Sequence, residues 1–361
     1  MKKLIFLFFL FIIILSTFAK IRHVKATGTG DRNGGTTWIN AFSPDTFGYY
    51  LNNLVDSGDV FYVKDSGTLT LTASIDFSAR DGGASLPIFI IGVKDTVTHD
   101  SEAIVFTDWS KDTTNNPFFD CGSYSWTLGD YTRIFNCNFQ GDATNVIIFG
   151  TNCLVEQCKF DQDYGSSAGR YSIRLVGGGQ CINSYFISTN CSGINPYSSA
   201  SGWGVINCIF KNMKNATGGI AIYISTGGGL IFNSIFDSCR IAIELVASAG
   251  TRIINNTFYD NTTSIDGTST FHNIVINNIL DSTKTDGFKA TGLRESNFLM
   301  ANHGDNTRNN DMFDTWSEIN IWSIDNYITS GNPLFTNPSN YDFTLQNGSP
   351  CLNTGKDAPT Q

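Results

Sequence analysis

The heptad RIINNTF (Arg252–Phe258) recurs in altered form along the chain, and this recurrence decides the fold. Each copy ends on a large apolar residue, and these residues follow one another at intervals of 21, 26, 24, 26, 22 and 22. A repeat length in this range is typical of solenoids. The other copies are RIFNCNF (Arg133–Phe139), LVEQCKF (Leu154–Phe160), QCINSYF (Gln180–Phe186), GVINCIF (Gly204–Phe210), LIFNSIF (Leu230–Phe236) and NIVINNIL (Asn273–Leu280).

Two columns of the aligned copies predict a bend in the backbone. The residue five places before the final apolar residue is always apolar, whereas an unbroken strand puts residues on one face only at even separations. The residue three places before it is always an amide, which can bond to the equivalent amide of the next coil. These amides are Asn136, Gln157, Asn183, Asn207, Asn233, Asn255 and Asn277.

A second apolar strand precedes several of the heptads. GIAIYIS (Gly219–Ser225) and RIAIELV (Arg240–Val246) match at an offset of 21, and SIRLV (Ser172–Val176) has the same character. One strand before each heptad and two short strands around its bend make three strands per coil. Stacked in parallel, such coils form an all-β protein of the parallel β-helix type.

These features resemble the right-handed parallel β-helix, or pectin-lyase-like, proteins. The opening His23–Phe42 resembles the strand, Gly-rich turn and Trp that begin many exported members, and Gly331–Gly355 resembles their closing segment. Ser43 can cap a short helix with Pro44 at its first position, as in the helix that covers the first coil of such proteins. The resemblance implies this fold but no single activity, because the family includes pectate and alginate lyases, polygalacturonases, tailspikes and adhesins.

The chain divides into four predicted parts. Residues 1–19 have two lysines, an apolar run and small residues, which predicts a secretory signal peptide cleaved after Ala19. Residues 20–58 hold the first strand and the capping helix, 59–285 the β-helix of about ten coils, and 286–361 irregular coils and a C-terminal cap. The rest of the chain contains no second long apolar run, so the sequence predicts no membrane span.

Charge and cysteine usage restrict the partners. The formal net charge is −9, or −11 without Lys2 and Lys3, which argues against nucleic acid or an anionic membrane as partner. An odd count of nine cysteines leaves at least one unpaired, and Cys137, Cys158 and Cys208 occupy one column of the repeat as small core residues. Cys137 and Cys158 would lie close enough for a bridge. No CxxC pair occurs, and no structural metal site is predicted.

The candidate site lies on the outer face of the first strand of each coil. Alternation places Arg174, Asn195, Tyr223, Glu244 and Asp266 in one outward column, and two long intervals between repeats predict loops beside it. Aromatic rings beside carboxylates and arginine suit a sugar-binding groove; solvated polar residues on an outer sheet are the structural alternative. The loop residues are Asp161, Asp163, Tyr164, Arg170, Tyr171, Tyr197 and Trp203.

Two kinds of polysaccharide cleavage can be assigned to the column. A lyase would use Arg174 or Tyr223 as base, with Glu244 and Asp266 holding Ca²⁺. However, Arg174 and Glu244 lie three coils, or about 14 Å, apart. An inverting hydrolase would use Glu244 and Asp266 as its carboxyl pair. The motifs typical of polygalacturonases do not occur, and no serine or cysteine triad is indicated.

The sequence therefore predicts a secreted, carbohydrate-associated β-helix protein whose partner is a polysaccharide or cell-surface glycan. Arg174, Glu244 and Asp266 are the candidates for catalysis, and the remaining column and loop residues are the candidates for binding. Ca²⁺ is the one cofactor that the carboxylates of the column suggest. The alternative is an adhesin or surface-structural protein without enzymatic activity.

Overall fold

Three parallel sheets, A, B and C, organise the chain in the computed structural model. Two units are distinguished, Met1–Lys159 and Phe160–Gln361, and each is built from parallel β-coils. The structure describes residues 20–30, 35–94, 116–142, 144–162, 170–188, 191–197, 201–214, 218–225, 227–246, 250–267, 273–281, 286–289, 298–300, 303–305, 322–324, 327–329, 333–340 and 342–352. The predicted signal peptide lies outside these residues.

The described residues of the first unit form eleven strands and one helix, α1 (Pro44–Asn53). In this unit sheet A contains β1, β2, β5, β8 and β11, sheet B contains β3, β6 and β9, and sheet C contains β4, β7 and β10. The strands are β1 (Ile21–Lys25), β2 (Val60–Lys64), β3 (Thr68–Thr70), β4 (Ile75–Asp76), β5 (Ile88–Val93), β6 (Phe118–Asp120), β7 (Trp126–Thr127), β8 (Thr132–Phe135), β9 (Asn138–Gln140), β10 (Asn145–Ile148) and β11 (Leu154–Glu156).

Helix α1 is the predicted capping helix, and its start follows from local chemistry. The side chain of Ser43 accepts the N–H of Thr46 at 3.2 Å, and Pro44 takes the first helical position. Phe47 is fully buried, with ring centroids 5.4 Å from Phe61 and 5.9 Å from Trp126. The helix therefore covers apolar side chains of the first unit that would otherwise meet water.

The second unit holds the regular repeats. Sheet C contains β13, β16, β19, β22, β25 and β28; sheet A contains β14, β17, β20, β23, β26, β29 and β31; sheet B contains β12, β15, β18, β21, β24, β27, β30 and β32. The strands are β12 (Lys159–Asp161), β13 (Tyr171–Leu175), β14 (Gln180–Ile182), β15 (Tyr185–Ile187), β16 (Ser192–Pro196), β17 (Trp203–Ile206), β18 (Ile209–Lys211), β19 (Ile220–Ile224), β20 (Gly229–Phe232), β21 (Ile235–Asp237), β22 (Ile241–Leu245), β23 (Arg252–Ile254), β24 (Thr257–Tyr259), β25 (Thr263–Gly267), β26 (Ile274–Ile276), β27 (Ile279–Asp281), β28 (Asp286–Lys289), β29 (Phe298–Met300), β30 (His303–Asp305), β31 (Trp322–Ile324), β32 (Tyr327–Thr329), β33 (Phe335–Asn337) and β34 (Asp342–Leu345).

The core of the second unit is a column of phenylalanine rings on sheet B. The five rings stack nearly parallel, with successive centroids 4.7 to 5.0 Å apart. This separation equals one strand spacing, so each coil adds one ring to the column. The rings belong to Phe160, Phe186, Phe210, Phe236 and Phe258.

The predicted bend is confirmed at all seven positions, and the predicted bond between stacked amides is confirmed for Asn207 and Asn233. All seven column amides have φ between 49° and 57°, the left-handed region that asparagine tolerates best among residues with side chains. Nδ2 of Asn233 donates to Oδ1 of Asn207 at 2.8 Å, and the N–H of Asn207 donates to the carbonyl of Phe232. Each heptad therefore turns from sheet A to sheet B at its amide.

Fewer than the predicted ten coils belong to the regular part of the β-helix in the described residues. The second unit has six turns that each contain strands of all three sheets, from β13 to β30. In the first unit Val60 pairs with Phe89 and Phe89 with Arg133, so these turns use 29 and 44 residues. The repeat of about 22 residues therefore does not extend to the first coils.

The cysteine column is confirmed as core. Cys137, Cys158 and Cys208 are at most 1% exposed, as is Cys181 at an apolar position of the repeat, and all four are free thiols. The backbone N–H of Cys137 lies 3.4 Å from Sγ of Cys158, and Sγ of Cys208 lies 3.9 Å from Sγ of Cys181. Within the described residues, no helix has the length and apolar character needed to cross a bilayer.

Candidate functional site

The predicted outward column lies on sheet C of the second unit. Arg174 pairs with Asn195, Tyr223 with Glu244, and Glu244 with Asp266, while Ile194 pairs with Ile222 and so aligns Asn195 with Tyr223. The column therefore crosses five consecutive coils in the predicted order. The residues on either side of it, such as Ile222 and Ile224, are fully buried because alternate residues face the core.

One position near the start of the sheet C strands carries a small buried residue, and at Gly193 it lies against the ring column. An added Cβ on Gly193 would lie 3.0 Å from the ring of Phe210, and the register equivalents Ala221, Ala242 and Ser264 are fully buried. Close packing of this kind is typical of protein interiors. The outward side chains are thus carried by a closely packed sheet.

Two tyrosines from different coils meet on this outer face. The rings of Tyr171 and Tyr223 have centroids 6.0 Å apart with an interplanar angle of 32°. Ser192 is the register partner of Tyr171 on the intervening coil, and its buried side chain donates to the carbonyl of Gly218. Nδ2 of Asn195 donates to the carbonyl of Tyr223 at 3.3 Å, and the Asn195 side chain also hydrogen-bonds to Tyr171.

Arg174 stacks on the third aromatic residue of the site. Its guanidinium carbon lies 3.3 Å from the ring centroid of Tyr197, which is 45% exposed. Such a cation–π stack holds the long Arg174 side chain in one orientation. The buried Nε of Arg174 has no hydrogen-bond partner among the described residues. We refer to Tyr171, Arg174, Asn195, Tyr197, Tyr223 and Glu244 as the sheet C patch.

Burial raises the pKa of both paired tyrosines. The pKa of Tyr171 is raised to about 12, first by burial and then by Tyr223 and Glu244. The pKa of Tyr223 is also raised, first by burial and then by the negative charge of Glu244. Both phenols are therefore neutral at ordinary pH and can donate hydrogen bonds to hydroxyl groups. A raised pKa makes Tyr223 a poor general base.

The structure removes several predicted residues from the site. Trp203 is 1% exposed and packs on Gly229, so the prediction that its ring contacts a ligand is wrong. Asp161 lies on sheet B, where it influences the pKa of Tyr185, and not beside the column. Asp163 and Tyr164 lie outside the described residues.

The remaining predicted residues differ in accessibility. Asn195 and Asp266 are each 5% exposed, so their side chains offer little surface to a ligand. Arg170 directly precedes β13 and its carbonyl accepts the N–H of Ser192. Tyr171 is predicted as an aromatic residue of a loop, but it belongs to strand β13 and contacts Tyr223. Only the register of adjacent coils reveals that contact.

The carboxylates of the column do not make a convincing cation site. Ca²⁺ takes six to eight oxygen ligands, whereas Glu244 and Asp266 supply two carboxylates from neighbouring coils. The described part of the chain contains no group of three His, Cys, Asp or Glu side chains arranged to hold a metal. We therefore derive no step through Ca²⁺.

Comparison with solved structures identifies the fold. The chain matches the alginate lyase AlyGC of family PL6 with a TM-score of 0.52 and 14% identity, covering 85% of this chain and 49% of that one. It matches pectate lyase Pel9A with 0.51 and 13%, covering 86% and 77%. For XylC in complex with xylose the values are 0.50 and 10%, covering 80% and 76%. No family model and no curated protein sequence matches.

The chain therefore has the parallel β-helix fold of the pectin-lyase-like proteins. It spans about half the length of the alginate lyase. At these identities the similarity concerns the fold alone. The activity has to be argued from the sheet C patch.

Proposed function

We propose that this protein is exported and binds an extracellular polysaccharide on the sheet C patch. The observation that carries the proposal is the convergence of three tyrosines, an arginine and an amide from three coils on one outer face. Tyrosine rings offer flat apolar surfaces for sugar faces, and their hydroxyl groups hydrogen-bond to sugar hydroxyls. The solvent-exposed ring of Tyr197 is accessible for such stacking.

The fold supports this proposal as an analogy. The structures named above include an alginate lyase, a pectate lyase and a xylose complex on the same β-helix scaffold. The signal-peptide pattern of residues 1–19 supports export. After export, the protein would meet extracellular polysaccharides, and its aromatic patch faces outward toward them.

Cleavage of the bound polymer is the second candidate function. Glu244 and Asp266 are register neighbours on adjacent coils, whose strands lie about 4.8 Å apart. Glycoside hydrolysis uses two carboxyl groups at separations of about 5 to 9.5 Å, which side chains on neighbouring strands can reach. The burial of Asp266 opposes this role, because a catalytic carboxyl group has to reach the substrate. Binding without cleavage corresponds to the adhesin or surface-structural alternative.

Affinity electrophoresis of the mature protein through gels containing different polysaccharides tests the binding proposal. At least one polymer should retard the protein, and Tyr223→Ala should reduce that retardation roughly tenfold. Tyr124→Ala, which removes a tyrosine from the first unit, is the matched control and should leave the retardation unchanged. Equal retardation of the wild type and Tyr223→Ala by every polymer would contradict the proposed site.

Two product assays separate binding from cleavage. Unsaturated uronates absorb in the ultraviolet and report elimination, whereas reducing ends report hydrolysis. If either signal appears and Glu244→Gln abolishes it, the enzyme function is supported. Retardation without either product would favour the non-enzymatic alternative.

A further inference from the structure

Two cysteine side chains of adjacent coils touch inside the second unit. Sγ of Cys208 lies 3.9 Å from Sγ of Cys181 and 3.5 Å from the carbonyl oxygen of the same residue. Cys181 lies on β14, and Cys208 follows β17, which is the neighbour of β14 in sheet A. Both residues are fully buried. The contact therefore joins, sulfur to sulfur, two residues that are 27 positions apart in the chain.

The separation of the two sulfur atoms is small enough for a covalent bond to form between them. A disulfide has an S–S distance of about 2.05 Å and joins Cα atoms that are about 4.4–6.8 Å apart. Neighbouring strands of a sheet lie about 4.8 Å apart, so adjacent coils run at a spacing that a disulfide can bridge. The sulfur atoms have to approach one another by about 1.9 Å, which side-chain rotation can supply.

The redox environment decides whether two touching thiols become a disulfide. Export, which is part of the proposed function, takes a chain into an oxidising compartment, where disulfides form and persist. Because both sulfur atoms are fully buried, an oxidant reaches them before the two coils pack and not afterwards. The same burial protects the bond from reductants once the protein has folded.

We propose that the exported protein carries a buried disulfide between Cys181 and Cys208, an inference that rests on the export part of the proposed function. The oxidant is itself a disulfide, that of a thiol–disulfide oxidoreductase or of oxidised glutathione. The thiolate of one cysteine attacks it and forms a mixed disulfide, and the thiolate of the other cysteine then displaces the remaining thiol of the oxidant. The two cysteines lose two protons and two electrons, and the oxidant is reduced to two thiols.

The bond ties together two coils that carry part of the sheet C patch. The loop that it closes, from residue 181 to residue 208, contains Asn195 on β16 and also Tyr197, whose ring stacks on Arg174. A cross-link that closes such a loop reduces the conformational freedom of the unfolded chain and so favours the folded state. The disulfide therefore stabilises the coil that presents Tyr197.

Counting thiols in the wild-type mature protein tests the inference without a variant that has to fold. The protein is refolded with reduced and oxidised glutathione, denatured and treated with N-ethylmaleimide. Because the bond removes two of the nine cysteines, seven should be labelled before reduction and all nine after it. Chymotrypsin cleaves after Phe186 and Tyr197 and so separates the relevant cysteines, and Cys181 and Cys208 should be recovered in one pair of linked peptides.

Variants and unfolding temperature give a second measurement. The wild type refolded with oxidant should unfold at a temperature roughly 5 °C higher than the wild type refolded with reductant. Cys208→Ala should take up eight labels and show no such difference. Cys191→Ala removes another buried cysteine of the same loop and is the matched control. It should take up six labels and keep the linked pair.

The outcomes separate this inference from the proposed binding site. Nine labels before reduction, or a link that maps to Cys137 and Cys158, would overturn the disulfide. Nine labels in protein that a polysaccharide gel still retards would remove the disulfide and leave the sheet C patch intact. Seven labels with the linked pair, in protein that no polymer retards, would support the disulfide and count against the patch.

Discussion

Asn278 binds Asn256 of the neighbouring coil through a single oxygen atom. Oδ1 of Asn278 accepts the backbone N–H of Asn256 at 2.9 Å and its Nδ2 at 3.0 Å. Nδ2 of Asn278 donates to the carbonyl of Ile253 at 3.0 Å. Both asparagines are at most 1% exposed. Buried amides therefore connect the coils directly inside the core, one residue after the outer amide ladder.

The inner amides should contribute strongly to stability. Asn278→Ala leaves the backbone N–H of Asn256 without an acceptor and leaves its Nδ2 with the carbonyl of Ile231 alone. An unsatisfied buried group costs about 1–3 kcal/mol, and the lost hydrogen bond adds to this. We expect the free energy of unfolding in urea to fall by about 3 kcal/mol. The control is Asn53→Ala, which removes an exposed amide at the end of α1 and should cost under about 0.5 kcal/mol. Equal losses from the two variants would contradict the assigned role.

The bend position should prefer asparagine over glutamine. Gln157 has φ 55°, the same left-handed conformation as its asparagine equivalents, although its longer side chain bonds less readily to the local backbone. Gln157→Asn should therefore raise the free energy of unfolding by about 0.5–1 kcal/mol. The reverse change, Asn255→Gln, should lower it by a similar amount. Thermal unfolding of both variants measures the effect, and a shift of the same sign in both would refute it.

Gly229 leaves space for the ring of Trp203. A Cβ at position 229 would lie 2.2 Å from Cδ2 of Trp203 and 2.6 Å from its carbonyl oxygen, so Gly229→Ala forces the ring or the strand to move. We expect a loss of about 3 kcal/mol, measured by urea unfolding followed through tryptophan fluorescence.

Gly48→Ala in α1 is the control for Gly229→Ala, and it should change the free energy of unfolding in the opposite direction. A Cβ there would meet Ile75 at an ordinary 3.7 Å, and alanine is the better helix former. Gly48→Ala should therefore stabilise the protein by about 0.5–1 kcal/mol. Destabilisation by Gly48→Ala as large as that from Gly229→Ala would show that steric contact is not the cause.

Asp237 should make stability depend on pH. It is 8% exposed, and burial is the main reason that its pKa is raised above the ordinary value, against the hydrogen bond from Ser238 and the charge of Lys211. Because the folded state holds the proton more tightly than the unfolded chain, wild-type stability falls as pH rises through the folded pKa.

The uncharged variant Asp237→Asn lacks this titration. Its free energy of unfolding should therefore increase relative to that of the wild type as pH rises from about 4 to 7. Urea unfolding at several pH values provides the measurement. A difference between the two proteins that stays constant with pH, or changes in the opposite direction, would disprove the role of burial.

The repeats made most of the second unit predictable. The heptads at 204–210 and 230–236 showed the bend, the outer amides and the Phe column, because each of these depends on neighbouring residues in one short segment. Alternation along β13, β19 and β22 also predicted which residues face outward. The first coils were predicted less well, since turns of 29 and 44 residues interrupt the period.

Accessibility within the site was not predictable from the same pattern. Trp203 and Asp161 were predicted to belong to the site because one is aromatic, the other is acidic, and both lie near a predicted loop. However, Trp203 is buried against Gly229, and Asp161 lies on another sheet. Loop and strand residues of different coils meet only in three dimensions, so their contacts leave no fixed spacing in the chain.

The amino-acid sequence alone determined that the chain coils, where each coil bends and which residues fill the interior, because apolar periodicity and left-handed asparagines act over a few residues. The tertiary structure decided that Tyr171 reaches Tyr223 across an intervening coil and that Arg174 lies flat on Tyr197. These contacts depend on the stacking register of the coils, which residues distant in the chain set together.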